Sequence, residues 1–216
     1  FPPVLWPAPS QKSHAPGRDF IFASRFQSFK RPELFVRGAI AYLSAYPDTQ
    51  SKFRMISYGF DPHYVDRIRL MIPPNLRQSI TIEANLDEEA RQAAISTGIL
   101  VQPSAFESLC VLAYEAAALG RTVLLSRDCA AFGQEQRWKD HENCLMFDPT
   151  PADLAATMHA ALSWKPSSMV SFTPDLTPTQ PIRHVTPPQA ARALVCIIAN
   201  RKSGADDLAR YYEVAQ

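Results

Sequence analysis

Glycine is the residue this chain most conspicuously lacks: it has 7 in 216 residues, under half of the ~7 % usual in soluble proteins. Glycine is what lets backbone approach a phosphate closely, and no G-x-G-x-x-G follows the first strand-like run, so a dinucleotide fold with its usual fingerprint is excluded. Long apolar runs are missing too. Val195-Cys196-Ile197-Ile198-Ala199 is an example of what there is, far short of the ~20 residues that cross a bilayer. Charge of one sign is also lacking. With 22 Lys+Arg against 21 Asp+Glu, the formal net charge is +1, and no long basic run exists to hold a nucleic acid.

The four cysteines, Cys110, Cys129, Cys144 and Cys196, form no C-x-x-C pair and no metal-ligand spacing. A disulfide or a metal site is the functional alternative; reduced, mostly buried thiols in a cytoplasmic protein are the expectation. The histidines His14, His63, His141, His159 and His184 are scattered without an H-E-x-x-H. Phe1 is followed by Pro2 and Pro3 rather than by a basic and then an apolar region, so no signal peptide is expected. The lack of an initiator Met suggests a piece of a longer chain.

What the chain does contain is alternation. Residues 1–18 read as a proline-rich linker. Short apolar strands are expected at Asp19–Ala23, Phe53–Tyr58, Ser79–Ile82, Ile99–Gln102, Thr122–Ser126 and Cys144–Phe147. Helices are expected between them, at Pro32–Ala45, Pro62–Met71, Asp87–Ser96 and Glu107–Leu119, with a last one at Pro151–Leu162. Strands this short and apolar, separated by amphipathic helices, predict an α/β, doubly wound, mainly parallel Rossmann-like sheet over residues 19–164. Residues 165–216 read as a proline-rich linker followed by helices at Gln189–Ala199 and Ala205–Val214.

In such a sheet, ligands bind beyond the carboxyl ends of the strands. Two segments place chemistry there. Ser24-Arg25-Phe26-Gln27-Ser28-Phe29-Lys30-Arg31 follows the first strand, and its cations could grip a pyrophosphate, Arg25 as a fork and Lys30 as a point charge. Taken alone, a solvated basic turn is the better explanation; its position on the same sheet edge as Glu107 is what favours the pyrophosphate. Pro103-Ser104-Ala105-Phe106-Glu107 follows the fourth strand, with Glu107 at the turn and Glu115 eight residues on. Two carboxylates beside helix N–H groups suit a ligand with both hydroxyls and phosphate; helix capping and an exposed carboxylate are the plainer explanation. Glu115 sits among Leu112, Ala113, Ala116 and Ala117, where a glutamate needs partners.

Together these residues resemble the C-terminal, donor-binding domain of family 4 glycosyltransferases, retaining enzymes with two facing Rossmann domains (the GT-B fold). The resemblance is carried by Arg25 and Lys30, by Pro103-Ser104-x-x-Glu107, by the E-x7-E pair Glu107 and Glu115, and by Glu115-Ala116-Ala117-Ala118-Leu119-Gly120-x-x-Val123. Asn143-Cys144-Leu145-Met146-Phe147-Asp148-Pro149 looks like the family's next strand. The resemblance implies that Arg25 and Lys30 contact the donor's pyrophosphate and that Glu107 accepts hydrogen bonds from the transferred sugar. It implies that Glu115 holds the ribose. Ser108, Leu109 and Cys110 would line the donor site, the last two through backbone N–H groups. The segment from Ile82 and Glu83 to Asn85 would flank the base.

No cofactor is implied beyond the nucleotide-diphosphate sugar, which is a substrate. No D-x-D occurs, and a metal-free reaction is expected, with no metal ligands. The partners implied are the sugar donor and an N-terminal acceptor-binding domain, with no nucleic acid. Peripheral association of the whole enzyme with the cytoplasmic face of a membrane is compatible with the resemblance.

The chain departs from the family pattern mainly at glycines. Ser24, Arg31, Ser108, Cys110 and Cys144 occupy glycine positions, and Leu109 replaces an aromatic residue. Two alternatives to a working transferase therefore stay open: a non-catalytic binding module on the same fold, and a sugar-nucleotide epimerase-like protein.

Overall fold

The structure, a computed structural model, describes residues 17–57, 61–84, 86, 88–108, 110–133 and 137–168. The expected helices at Gln189–Ala199 and Ala205–Val214 lie outside the described residues, and so do Tyr58, Asn85, Asp87 and Leu109.

Six strands form one sheet: β1 Phe20–Ser24, β2 Phe53–Ser57, β3 Ile80–Ala84, β4 Ile99–Gln102, β5 Val123–Ser126 and β6 Leu145–Phe147, in the order β3-β2-β1-β4-β5-β6. Every pairing is parallel. The helices are α1 Pro32–Ala45, α2 Pro62–Leu70, α3 Glu88–Thr97, α4 Val111–Ala118 and α5 Pro151–Ala161. The α/β, Rossmann-like expectation holds.

The strands read as continuous apolar runs because both faces are covered. Side chains alternate across a strand, so β1 sends Phe20 and Phe22 to one face and Ile21 and Ala23 to the other. The first pair joins a core with Phe35 and Tyr42 of α1, Ile68 of α2, and Leu154 and Met158 of α5. Ile21 and Ala23 meet Ala94 of α3. On that second face Leu100, Val123 and Leu125 pack against Ala113 and Ala116 of α4, with Phe132 and Trp138 closing the cluster.

Local chemistry fixes the helix starts. Pro32, Pro62 and Pro151 occupy first-turn positions, where a missing N–H costs nothing. Asp61 and Thr150 cap α2 and α5 by accepting the N–H of His63 and Asp153. Gly38 is where α1 meets α5: a Cβ there would lie 2.6 Å from Leu154 Cδ2.

One expected helix is corrected. α4 begins at Val111, not at Glu107. Cys110 is left-handed, at φ 56° and ψ 61°, and an L-residue in that conformation cannot continue a right-handed helix backwards. Residues 103–108 instead run as a loop, anchored by the Ala105 N–H donating to the Phe29 carbonyl at 2.7 Å. The last strand is also shorter than expected, because Cys144 makes only an isolated bridge with Asp140.

The strand order locates the site. From β1 the chain steps outward through β2 to β3, then returns to β4 beside β1 and steps the other way. The direction reverses between β1 and β4, and beyond their carboxyl ends a crevice opens.

Candidate functional site

The crevice at the β1/β4 reversal is an open cleft of about 330 Å³. The loop after β1 contributes Arg25 and Lys30 to it, and the loop after β4 contributes Glu107 and Ser108. Phe29 and Phe106, 39 % and 65 % exposed, form an aromatic wall with ring centroids 6.4 Å apart. Two segments separated by more than seventy residues thus meet at one place, as parallel pairing of β1 with β4 requires.

Lys30 and Glu107 touch. Lys30 Nζ donates to Glu107 Oε2 at 2.5 Å, and the side chains are only 17 % and 8 % exposed. Ser104, fully buried, donates its hydroxyl to Glu107 Oε1 at 2.7 Å. Both carboxylate oxygens are therefore fixed, and the carboxylate has little freedom to turn. Lys30 ends a single turn of 3₁₀ helix, Ser28–Lys30, and its ammonium lies 5.3 Å from the centroid of the Phe29 ring, within cation–π range. Arg25 is exposed at the cleft, with no ion-pair partner among the described residues.

Arg31 follows Lys30 at φ 51° and ψ 51°. Its guanidinium forks onto Asp128 beyond β5, with Nη1 to Oδ1 at 2.9 Å and Nη2 to Oδ2 at 2.7 Å. Ser126 completes the group by donating to Asp128 Oδ1 at 2.8 Å. The hydrogen bond from Arg31 holds the Asp128 carboxyl below the usual carboxylate range, and Ser126 adds to the effect. The same bond raises the Arg31 pKa above its ordinary value.

The thiols here are weakly acidic. Burial, then the neighbouring Glu107 carboxylate, push the Cys110 thiol well up. Burial does the same to Cys129, against partial relief from the backbone N–H groups of Ala131 and Glu107. Cys110, Cys129 and Cys144 are all free thiols.

Of the residues expected from the sequence, Arg25, Lys30, Glu107 and Ser108 are brought together in the cleft. Cys110 caps α4 just behind Glu107, and Leu109 lies outside the described residues. Glu115 is half-buried on α4 and is not part of the cleft lining. Ile82 packs on the core. Glu83 takes both nitrogens of an Arg54 fork, at 2.7 and 2.8 Å, and that bond lowers its pKa. Neither residue lines the cleft. Sequence reasoning missed the Arg31–Asp128–Ser126 group and the Phe29/Phe106 wall. Asp128 could have been found from topology alone, since β5 ends on the same sheet edge; nothing in the sequence flagged the phenylalanines.

Among the described residues no helix is long and apolar enough to cross a membrane, and no group of three or more His, Cys, Asp and Glu side chains converges as a metal site would.

No protein-family model matches the chain, and no curated protein matches its sequence. Solved structures do match it. A structure of a point mutant of S. aureus TarM, in complex with Fondaparinux, alpha-GlcNAc-glycerol and UDP, superposes with a TM-score of 0.60 at 20 % identity, covering 73 % of this chain and 31 % of that one. A glycosyltransferase from Rickettsia africae ESF-5 gives 0.55 at 20 %, covering 70 % and 38 %. A UDP-forming trehalose-phosphate synthase from Burkholderia xenovorans gives 0.53 at 15 %, covering 68 % and 37 %. The chain thus spans about a third of the length of these structures, and its fold is that of one Rossmann-like domain of a GT-B glycosyltransferase.

Proposed function

We propose that this domain is the donor-binding half of a glycosyltransferase that takes its sugar from a nucleotide diphosphate. The observation that carries the reading is the cleft at the β1/β4 reversal, where Arg25 and Lys30 face Glu107 across two loops. A nucleotide-diphosphate sugar offers two kinds of group, a charged pyrophosphate and neutral hydroxyls. The cleft offers cations for the first and a fixed carboxylate for the second. Transfer puts charge on the departing phosphate, so cations already in position lower the barrier without reorganising. On this reading Arg25 and Lys30 meet the pyrophosphate and Glu107 the sugar. Glu115, on the next helix, is assigned to the ribose, and the reaction is retaining and metal-independent. The acceptor is bound by a second domain that closes over the cleft. The UDP named for the S. aureus and Burkholderia structures makes a uridine nucleotide the first to test.

The test is turnover. Release of nucleoside diphosphate from a panel of nucleotide sugars is measured with the full-length protein, together with its Arg25→Ala and Lys30→Ala variants. Loss of a positioned charge-stabilising donor typically costs about 10²–10³ in rate, and each variant should lose activity on that scale. Full activity in both would overturn the reading.

Two observations favour a second reading, a non-catalytic module that binds the nucleotide. Lys30 is already neutralised by Glu107, and side chains stand at the left-handed positions Arg31 and Cys110. Nucleotide binding without turnover on any donor would select it.

A further inference from the structure

The three residues at the end of the β1–α1 loop each reach a different partner across the sheet edge. The Phe29 carbonyl accepts the Ala105 N–H at 2.7 Å. Lys30 Nζ meets Glu107 at 2.5 Å. Arg31 forks onto Asp128 at 2.7 and 2.9 Å. This one turn therefore ties down the loops after β4 and β5 as well as its own. Phe29 and Lys30 reach the β4 loop, and Arg31 reaches past it to the loop after β5, the next strand in the sheet. Arg31 is left-handed: it ends the 3₁₀ turn carrying Lys30 and starts α1 at the same residue.

A left-handed conformation costs a residue with a Cβ about 1–2 kcal/mol, and glycine would adopt it freely. The side chain at position 31 thus opposes its own backbone, and the Asp128 fork is what it gains in return. A fork fixes both distance and orientation, so it sets the direction in which the preceding residue leaves the chain. Asp128 is itself held by the Ser126 hydroxyl at 2.8 Å, and Ser126 belongs to β5. The fork is therefore referred to the rigid sheet.

We infer that Arg31, acting through its fork on Asp128, is the positioning residue that holds Lys30 against Glu107 in the cleft. The consequence for a donor phosphate rests on the function proposed above; the geometry of the free protein does not. Arg31 itself contributes no free charge to the cleft, because its guanidinium is consumed by Asp128.

The experiment measures the rate at which an N-hydroxysuccinimide acetylating reagent labels the Lys30 amine, read by peptide-resolved mass spectrometry on the full chain. It compares the wild type with Arg31→Gly, Asp128→Asn and Asp128→Glu, and thermal midpoints are recorded in parallel. Lys30 should label about fivefold faster in Arg31→Gly and Asp128→Asn, the upper range for a part-exposed ion pair. Asp128→Glu, which keeps a carboxylate, should restore slow labelling. The Arg31→Gly midpoint should not fall, because relief of the left-handed backbone offsets the lost fork. Unchanged Lys30 labelling in both Arg31→Gly and Asp128→Asn overturns the inference. So does faster labelling that only tracks a lowered midpoint. Uridine, guanosine and adenosine diphosphates are then titrated into the wild type. If none of them binds while labelling behaves as expected, the positioning role stands and the proposed function falls.

Discussion

Replacing Lys30 with methionine keeps the aliphatic stem beside Phe29 and removes the charge, leaving the Glu107 carboxylate with the Ser104 hydroxyl as its hydrogen-bonding side chain. That carboxylate belongs to a side chain only 8 % exposed. Breaking a fully buried pair costs about 3–5 kcal/mol. This pair lies at the mouth of an open cleft, and water would enter the vacated space, so about 2 kcal/mol is expected. For a domain of this size that lowers the thermal midpoint by about 4–8 °C. The reverse change is cheaper. Glu107→Gln preserves the shape and the Ser104 contact, and Lys30, on a flexible stem at 17 % exposure, can extend into solvent; the cost should be about 0–1 kcal/mol. The double variant Lys30→Met/Glu107→Gln should recover most of the lost midpoint, giving a coupling of about 1 kcal/mol or more. Calorimetric or fluorescence melting of the four proteins measures this. Equal midpoints for the two single variants, or simple additivity in the double, would refute the claim that Lys30 compensates a buried charge.

Three further outcomes follow from other parts of the molecule. Gly38→Ala should destabilise the domain by about 1–3 kcal/mol through overpacking, because its Cβ would sit 2.6 Å from Leu154; melting should show that cost shrink when the same change is made in a Leu154→Ala background. Asp128 and Glu83 both have folded pKa values lowered by arginine forks, so each stabilises the fold above the ordinary carboxylate range. That stabilisation should drain away as pH falls below about 4, and Arg54→Gln should make the acid limb of a pH–midpoint curve shallower. Burial raises the Cys110 and Cys129 thiols and pushes Cys144 up to about 12. Peptide-resolved alkylation at neutral pH should therefore leave all three unmodified until the protein unfolds.

The fold was readable because its signals are local and redundant. Ile99-Leu100-Val101-Gln102 and Val123-Leu124-Leu125-Ser126 are apolar nearly throughout, as strands buried on both faces must be. Pro32 and Pro151 mark helix starts to the residue. The start of α4 was not readable, because nothing in the composition of 107–110 announces that Cys110 is left-handed; a glycine there would have done so. In the site, the meeting of Lys30 with Glu107 followed from topology, since both leave strands that pair. The Arg31–Asp128 fork spans 97 residues, and its geometry depends on a backbone conformation that Arg31 adopts against its intrinsic preference. Such pairings are written in tertiary structure, and no spacing rule reaches them.

The central claim is that the cleft at the β1/β4 reversal binds a nucleoside diphosphate through Arg25 and Lys30. Titration calorimetry with uridine, guanosine and adenosine diphosphates tests it most directly, using the wild type and a Lys30→Met/Arg25→Ala variant. Saturable binding of at least one diphosphate, lost in the variant and weakened by added salt, is the predicted result. Absence of binding by all three, or binding that the variant retains, would contradict the account.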